Sequence, residues 1–139
     1  MKIRPKTALL SVSDKKGLIP FAKFLAKQKI KLIATGGTAK ALRAAGVRVS
    51  SISSLTGFPE IFGGRVKSMH PKIAGGILGQ RDSDKEEAKK NKIGWIDLVV
   101  CNLYPFEIVA KNPNSSLEEK IENIDVGGPT MIRSAAKNN

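Results

Sequence analysis

Residues 7–47 read TALLSVSDKKGLIPFAKFLAKQKIKLIATGGTAKALRAAGV. Thr7–Ser13 is a short apolar run that closes on polar residues, the pattern of a buried strand. Asp14 is placed to cap the next segment, in which Leu18, Ala22, Leu25 and Ala26 recur at helical spacing. Ile30–Thr35 reads as a second strand and Gly36-Gly37 as a tight turn. Thr38–Ala45 is Ala-rich and helical, and Gly46 is positioned to end it. Strand, helix, strand and helix in close succession imply an α/β fold with a mainly parallel sheet, covered by helices on both faces.

Working outward, Val47–Ile52 is a third, weaker strand. Ser53 to Lys72 reads as a long loop, punctuated by Gly57, Pro59, Gly63, Gly64 and Pro71. A loop of that length in a compact domain carries function or hides an element of structure. Ser83–Asn91 is charged and reads as an exposed helix. Ile96–Tyr104 is the clearest strand of the chain, interrupted by Pro105. Ser116 and Glu119 match a capping box for a helix running to about Ile124. Asp125–Pro129 forms the last turn, with Pro129 at the first position of a final helix that ends near Lys137. Right-handed crossovers place the carboxyl ends of parallel strands along one edge of the sheet, where ligands of open α/β sheets bind. The chemically interesting residues are therefore expected just after strands.

The 139 residues and 41% hydrophobic content fit one folded domain. No apolar run is long enough for a membrane span, and the basic Met1–Lys6 segment lacks the apolar centre of a secretory signal. One cysteine, Cys101, excludes an internal disulfide framework and fits a reducing cytoplasm. With a single histidine beside it, no protein-only zinc site of the usual kind is expected. The net charge of +12 is uneven. Residues 1–72 carry 15 Lys and Arg against only Asp14 and Glu60, whereas residues 73–139 are close to neutral. Such a basic half attracts polyanions. An aromatic content of 5% leaves little for bases to stack on, so a small phosphorylated ligand explains the charge as well as nucleic acid does.

Several polar clusters do follow strands. Ser11, Ser13 and Lys15 close the first strand, Thr35-Gly36-Gly37-Thr38 the second, and Cys101-Asn102 with Tyr104 the fourth. Glycine-rich turns entering helix N-termini expose backbone N–H groups to anions, and Thr35 and Thr38 would add two hydroxyl donors. Arg65 and Lys67 lie one residue apart beside Ser68, a credible clamp for phosphate or a developing oxyanion. His70 before Pro71 reads equally as a structural hydrogen-bonding residue or an acid/base. Cys101 reads as a small packing residue without an activated thiolate. Asp125 precedes a Gly-Gly-Pro nest, and Lys137 ends the final helix, where it could simply offset the dipole.

Seven strings resemble, in order and from end to end, the IMP cyclohydrolase region of the bifunctional purine-synthesis family (formyltransferase/IMP cyclohydrolase). They are ALLSVSDK (8–15), TGGTA (35–39), TGFPE (56–60), GRVK (64–67), GGIL (75–78), CNLYPF (101–106) and NIDVGGPTMIRSAAKN (123–138). The resemblance implies a methylglyoxal synthase-like three-layer sandwich. It implies closure of the purine ring of 5-formamidoimidazole-4-carboxamide ribonucleotide with loss of water to give IMP. That chemistry needs no metal or organic cofactor.

Carried over position by position, the family's nucleotide contacts fall on Ser11, Ser13, Lys15, Thr35, Gly36, Gly37, Thr38, Arg65, Lys67, Ser68, Cys101, Asn102, Asp125 and Val126. The Gly127 N–H joins Val126 as an oxyanion donor. Lys137 matches the family's proton-transfer lysine, and Lys67, Tyr104 and Asp125 match its other catalytic side chains. The resemblance further implies a cytoplasmic homodimer that binds purine nucleotides, with no membrane or specific nucleic-acid partner.

Three departures stand out. Ala74 and Asn139 replace histidines common in relatives. The family's cyclohydrolase domain also continues past position 139 and is followed by a transformylase domain, so residues 1–139 read as C-terminally incomplete relative to the family. The alternative is an allosteric nucleotide-binding module without catalysis, like the similar domain of carbamoyl phosphate synthetase. A charge-driven nucleic-acid binder and methylglyoxal synthase itself are further readings. The TGFPE and CNLYPF strings argue against the last.

Overall fold

A computed structural model describes residues 4–138 of the protein. Four strands form one all-parallel sheet in the order β3-β2-β1-β4. They are β1 (Thr7–Ser11), β2 (Lys31–Ala34), β3 (Ser50–Ser51) and β4 (Leu98–Cys101). Alternate residues of the central strands point to opposite faces, and both faces are apolar, as expected of a strand buried on two sides. Ala8, Leu10, Leu32 and Ala34 pack beneath α1 (Leu18–Lys27) and α2 (Gly36–Ala44) through Leu18, Ala22, Leu25, Ala39 and Leu42. Leu9 and Ile33 face the other way. They meet Ile52 of α3 (Ile52–Thr56), Ile73 and Ile77 of α4 (Pro71–Leu78), and Met131 of α8 (Gly127–Lys137). The result is the expected three-layer sandwich. Three short helices complete it: α5 (Lys85–Lys90), α6 (Phe106–Lys111) and α7 (Leu117–Glu122). No helix among the described residues is long and apolar enough to cross a membrane.

Several local expectations change. Gly36-Gly37 is not a turn: both residues belong to the first turn of α2, with Thr35 at the N-cap in an extended conformation. Asp14 does not cap α1. Gly17, at φ +74°, takes that position, and Asp14 Oδ1 accepts the Lys16 N–H at 2.9 Å instead. The third strand shrinks to two residues, while Val47 and Val49 bury their side chains against the α1–α2 layer as coil.

The long loop does hide structure, namely α3, a single 3-10 turn at Phe62–Gly64 and the start of α4. Helix α4 escapes sequence reading because Gly75 and Gly76 sit inside it, and glycine is a poor helix former. Packing overrides that cost. A Cβ on Gly75 would lie 2.8 Å from Ile93 Cδ1, and one on Gly76 only 2.6 Å from the Gly94 carbonyl. His70 caps α4, accepting the Lys72 N–H on Nδ1 at 3.1 Å, which is the structural one of its two readings.

The capping box forms as expected: Ser116 Oγ accepts the Glu119 N–H and Glu119 Oε2 accepts the Ser116 N–H. Its helix ends at Glu122. The final helix starts at Gly127, which puts Pro129 at its third position. There the missing N–H still costs nothing, because the first turn has no intrahelical acceptors.

Candidate functional site

At the carboxyl edge of the sheet, the segments that follow β1, β2 and β4 converge. Between them and the basic loop lies a cleft of about 780 Å3, a size suited to a small molecule. Ser11, Ser13 and Lys15 enter it from β1, and Thr35, Gly37 and Thr38 from the β2–α2 junction. Arg65, Lys67 and Ser68 come from the loop, Asn102 and Tyr104 follow β4, and Asp125, Val126 and Gly127 open α8. Ser11 and Gly127 are far apart in sequence, yet parallel topology brings them to one rim.

Buried hydroxyls stitch the floor. Thr38 Oγ1 accepts the Val12 N–H at 3.1 Å and donates to the Val12 carbonyl at 3.2 Å. Thr35 Oγ1 donates to Ser11 Oγ at 3.1 Å. The two threonine hydroxyls are thus spent on the scaffold and are not the free phosphate donors expected from sequence. What they leave is backbone. The Gly37 and Thr38 N–H groups at the start of α2 meet no acceptor among the described residues. Lys15 Nζ lies nearby, held by the Val12 and Ser13 carbonyls at 3.4 and 3.2 Å. A helix N-terminus with free N–H groups and an adjacent ammonium is an anion site.

Helix α8 supplies a second such end. Asp125 Oδ1 accepts the Gly128 N–H at 2.8 Å and its Oδ2 accepts the Tyr104 N–H at 3.3 Å. The Val126 and Gly127 N–H groups meet no acceptor among the described residues. The close packing there requires glycine. A Cβ on Gly128 would lie 2.6 Å from Leu103 Cδ2, and one on Gly127 would collide with Ser68 Oγ. Ser68 itself is buried. Arg65 reaches across to α7 and pairs with Glu122 at 3.3 Å, with both side chains more than half exposed.

Three expected site residues stand apart from the cleft. Gly36 turns its N–H to Glu60 Oε1 at 3.1 Å. Cys101 lies half-buried behind Asn102, with Sγ 3.9 Å from the Gly128 carbonyl. Burial, and then the nearby Asp125 carboxylate, push its thiol above the usual cysteine range, which keeps it protonated and unreactive. Lys137 does not line the cleft of this chain. It ends α8 while Asp125 precedes the same helix, so at ~1.5 Å per residue the two lie roughly 15 Å apart along the axis. Lys137 is exposed, and the adjacent Asn138 donates to the Ile77 and Gly79 carbonyls at the end of α4. Ala74, on α4, lines no part of the cleft, and Asn139 lies outside the described residues.

Sequence reading also missed cleft residues. Phe62, Gly63 and Gly64 form its outer lip, all three with positive φ, and Phe62 is 72% exposed. The Gly63-Gly64 pair directly before Arg65 was the available signal. For Ile121 and Glu122 of α7 there was none, because only the tertiary fold brings that helix over the cleft.

The described residues contain no group of three or more His, Cys, Asp or Glu side chains suited to a metal ion. Residues 17–130 match the MGS-like domain family. The bifunctional purine biosynthesis protein PurH of Chlorobium luteolum is 55% identical over 136 residues, covering 96% of this chain and 26% of that protein. PurH of Neisseria meningitidis is 57% identical over 135 residues, with the same coverage. The chain therefore spans about a quarter of the length of these relatives. Among solved structures, the crystal structure of ForH superposes with a TM-score of 0.80 at 40% identity, covering 97% of this chain and 70% of that one. The chain belongs to the MGS-like domain family, and within it matches the N-terminal domain of PurH.

Proposed function

We propose that this cleft binds a purine nucleoside monophosphate and performs the IMP cyclohydrolase reaction. One observation carries the reading. Two helix N-termini with unpartnered N–H groups, Gly37/Thr38 and Val126/Gly127, open into a single cleft that also holds Lys15, Arg65 and Lys67. A nucleotide substrate of this kind needs two anion sites, one for its phosphate and one for the charge that develops during ring closure. The relatives' role in purine biosynthesis supports the same ligand class.

In this reading the 5′-phosphate sits on the α2 N-terminus, between Lys15 and the Ser11 hydroxyl. Ser11 Oγ accepts from Thr35, which leaves its own proton to point into the cleft. The carboxamide nitrogen attacks the formyl carbon, a C–N bond forms, and the carbonyl oxygen becomes an alkoxide. The Val126 and Gly127 N–H groups and the Lys67 ammonium stabilise that charge. Each Asp125 oxygen keeps a lone pair beyond its backbone contact, so the carboxylate can take the proton that the nitrogen sheds. Protonation of the alkoxide gives a hydroxyl, which departs as water with the proton of the former formamide nitrogen as the C=N bond forms, and IMP results. Tyr104 is the side chain beside Asp125 able to relay that proton. The chain is proposed to act as a cytoplasmic homodimer, a state supported by exposed apolar side chains such as Ile108 and Leu117, each 74% accessible.

A second reading has its own observation. Lys137 lies outside the cleft, so the chain could hold the nucleotide without turning it over, as an allosteric module does. A spectrophotometric assay of IMP formation from the formylated substrate separates the two. Turnover that disappears in Asp125→Asn supports the enzyme. Binding of IMP without turnover supports the module.

A further inference from the structure

Glu60 and Asp14 are the only acids among the first 72 residues, against 15 Lys and Arg. Glu60 ends the TGFPE string, to which the reaction described above gives no task. Its carboxylate accepts the Gly36 N–H at 3.1 Å, at the first residue of α2. The approach is close: a Cβ on Gly36 would lie 2.9 Å from both carboxylate oxygens. On its other side the same carboxylate faces the basic loop. A Cβ on Gly64 would lie 3.9 Å from Glu60 Oε2 and 3.6 Å from Lys67 Nζ, so the acid and the lysine flank one glycine. Glu60 itself is not part of the cleft wall.

We infer that Glu60 is a positioning residue for the nucleotide site, a tether that holds the Arg65–Ser68 loop against the α2 N-terminus so that loop cations and helix N–H groups address one anion. The physical case rests on what else moors the loop. The Phe62–Gly64 tip has positive φ at three successive residues and is pinned at its base by one bridge between Ile61 and Val66. The Arg65–Glu122 pair is largely solvated and therefore weak. By contrast, a carboxylate on a helix N-terminus gains both a charge-assisted hydrogen bond and the dipole. It also occupies Gly36 alone. The Gly37 and Thr38 N–H groups stay open to the ligand, so tether and ligand share the helix end without competing for a donor.

The inference rests on the nucleotide reading for its consequence but not for its geometry, and the test keeps the two apart. Amide hydrogen exchange of residues 61–68 and calorimetric titration with IMP are measured on the full chain and on Glu60→Ala and Glu60→Gln. The tether predicts faster exchange in the loop of Glu60→Ala with unchanged exchange in β1 and β2. It predicts IMP affinity weakened about tenfold, the size of one lost charge-assisted hydrogen bond. Glu60→Gln, which retains an oxygen acceptor without its charge, restores part of both. Loop exchange that is the same in Glu60→Ala and the parent overturns the tether, whatever IMP does. Altered exchange in a chain whose parent form does not bind IMP sustains the tether and removes the nucleotide reading. Equal loss in Glu60→Ala and Glu60→Gln also overturns it, because the amide still accepts the Gly36 N–H and keeps the part of the tether that does not depend on charge.

Discussion

Asn102 accepts the Ser13 N–H on Oδ1 at 2.6 Å and returns its own Nδ2 proton to the Asp14 carbonyl at 2.8 Å. This side chain therefore ties the loop leaving β4 to the loop leaving β1, across 89 residues of sequence. Both loops border the cleft, and both contacts lie at its exposed rim. Asn102→Ala is expected to weaken IMP binding about tenfold, with thermal stability nearly unchanged because solvent can replace rim hydrogen bonds. Asn102→Asp does not rescue it, since it loses the donor to Asp14 and brings a negative charge toward a phosphate. Calorimetry on the two variants checks both statements.

The Thr38 hydroxyl behaves differently because it is buried. Thr38→Val keeps the shape but strands the Val12 N–H and leaves the Val12 C=O with Lys15 Nζ alone. A loss of about 1–3 kcal/mol in unfolding free energy is expected, from unsatisfied buried backbone groups. Urea melts decide it: a midpoint equal to the parent's would mean that water reaches those groups.

Much of this site was legible in sequence because its residues directly follow strands whose apolar patterns are strong. Ser11 at the end of TALLS, Lys15 behind it, and Asn102 behind LVVC needed only the rule that parallel strands end at one edge. What failed had non-local causes. Helix α4 depends on Ile93 and the Gly94 carbonyl filling the space that Gly75 and Gly76 leave open, and no window around GGIL contains that information. Gly36-Gly37 looks the same in a turn and in a first helical turn until Glu60 arrives from residue 60 to accept the N–H.

At the opposite edge of the sheet, Asp97 accepts the Lys6 and Thr7 N–H groups at 2.9 Å each and pairs with Arg81 at 3.1 Å. Burial alone would raise its carboxyl pKa, but the Lys6 N–H, Arg81 and the Thr7 N–H together outweigh it and hold the value below the ordinary 3.8. The folded pKa is thus the lower one. The stabilisation is fully present above the unfolded value of 3.8 and is lost as pH falls through the folded one. Asp97→Asn is expected to lower the melting temperature at pH 7 and to flatten its dependence on pH below about 4. A parallel pair of melting curves against pH tests this.

Lys137→Ala is expected to leave IMP affinity within about twofold of the parent, because Lys137 ends α8 and lines no part of this chain's cleft. A tenfold loss in titration would place this lysine at a cleft after all, brought there by a second copy of the chain.

The central claim is that the anion sites of α2 and α8 together hold a nucleoside monophosphate. Calorimetric titration of the full chain with IMP, set beside inosine under the same buffer, tests it most directly. The account predicts saturable binding of IMP that weakens as salt is added, and binding of inosine too weak to saturate. Equal heats from IMP and inosine, or no binding of IMP at low salt, would contradict it.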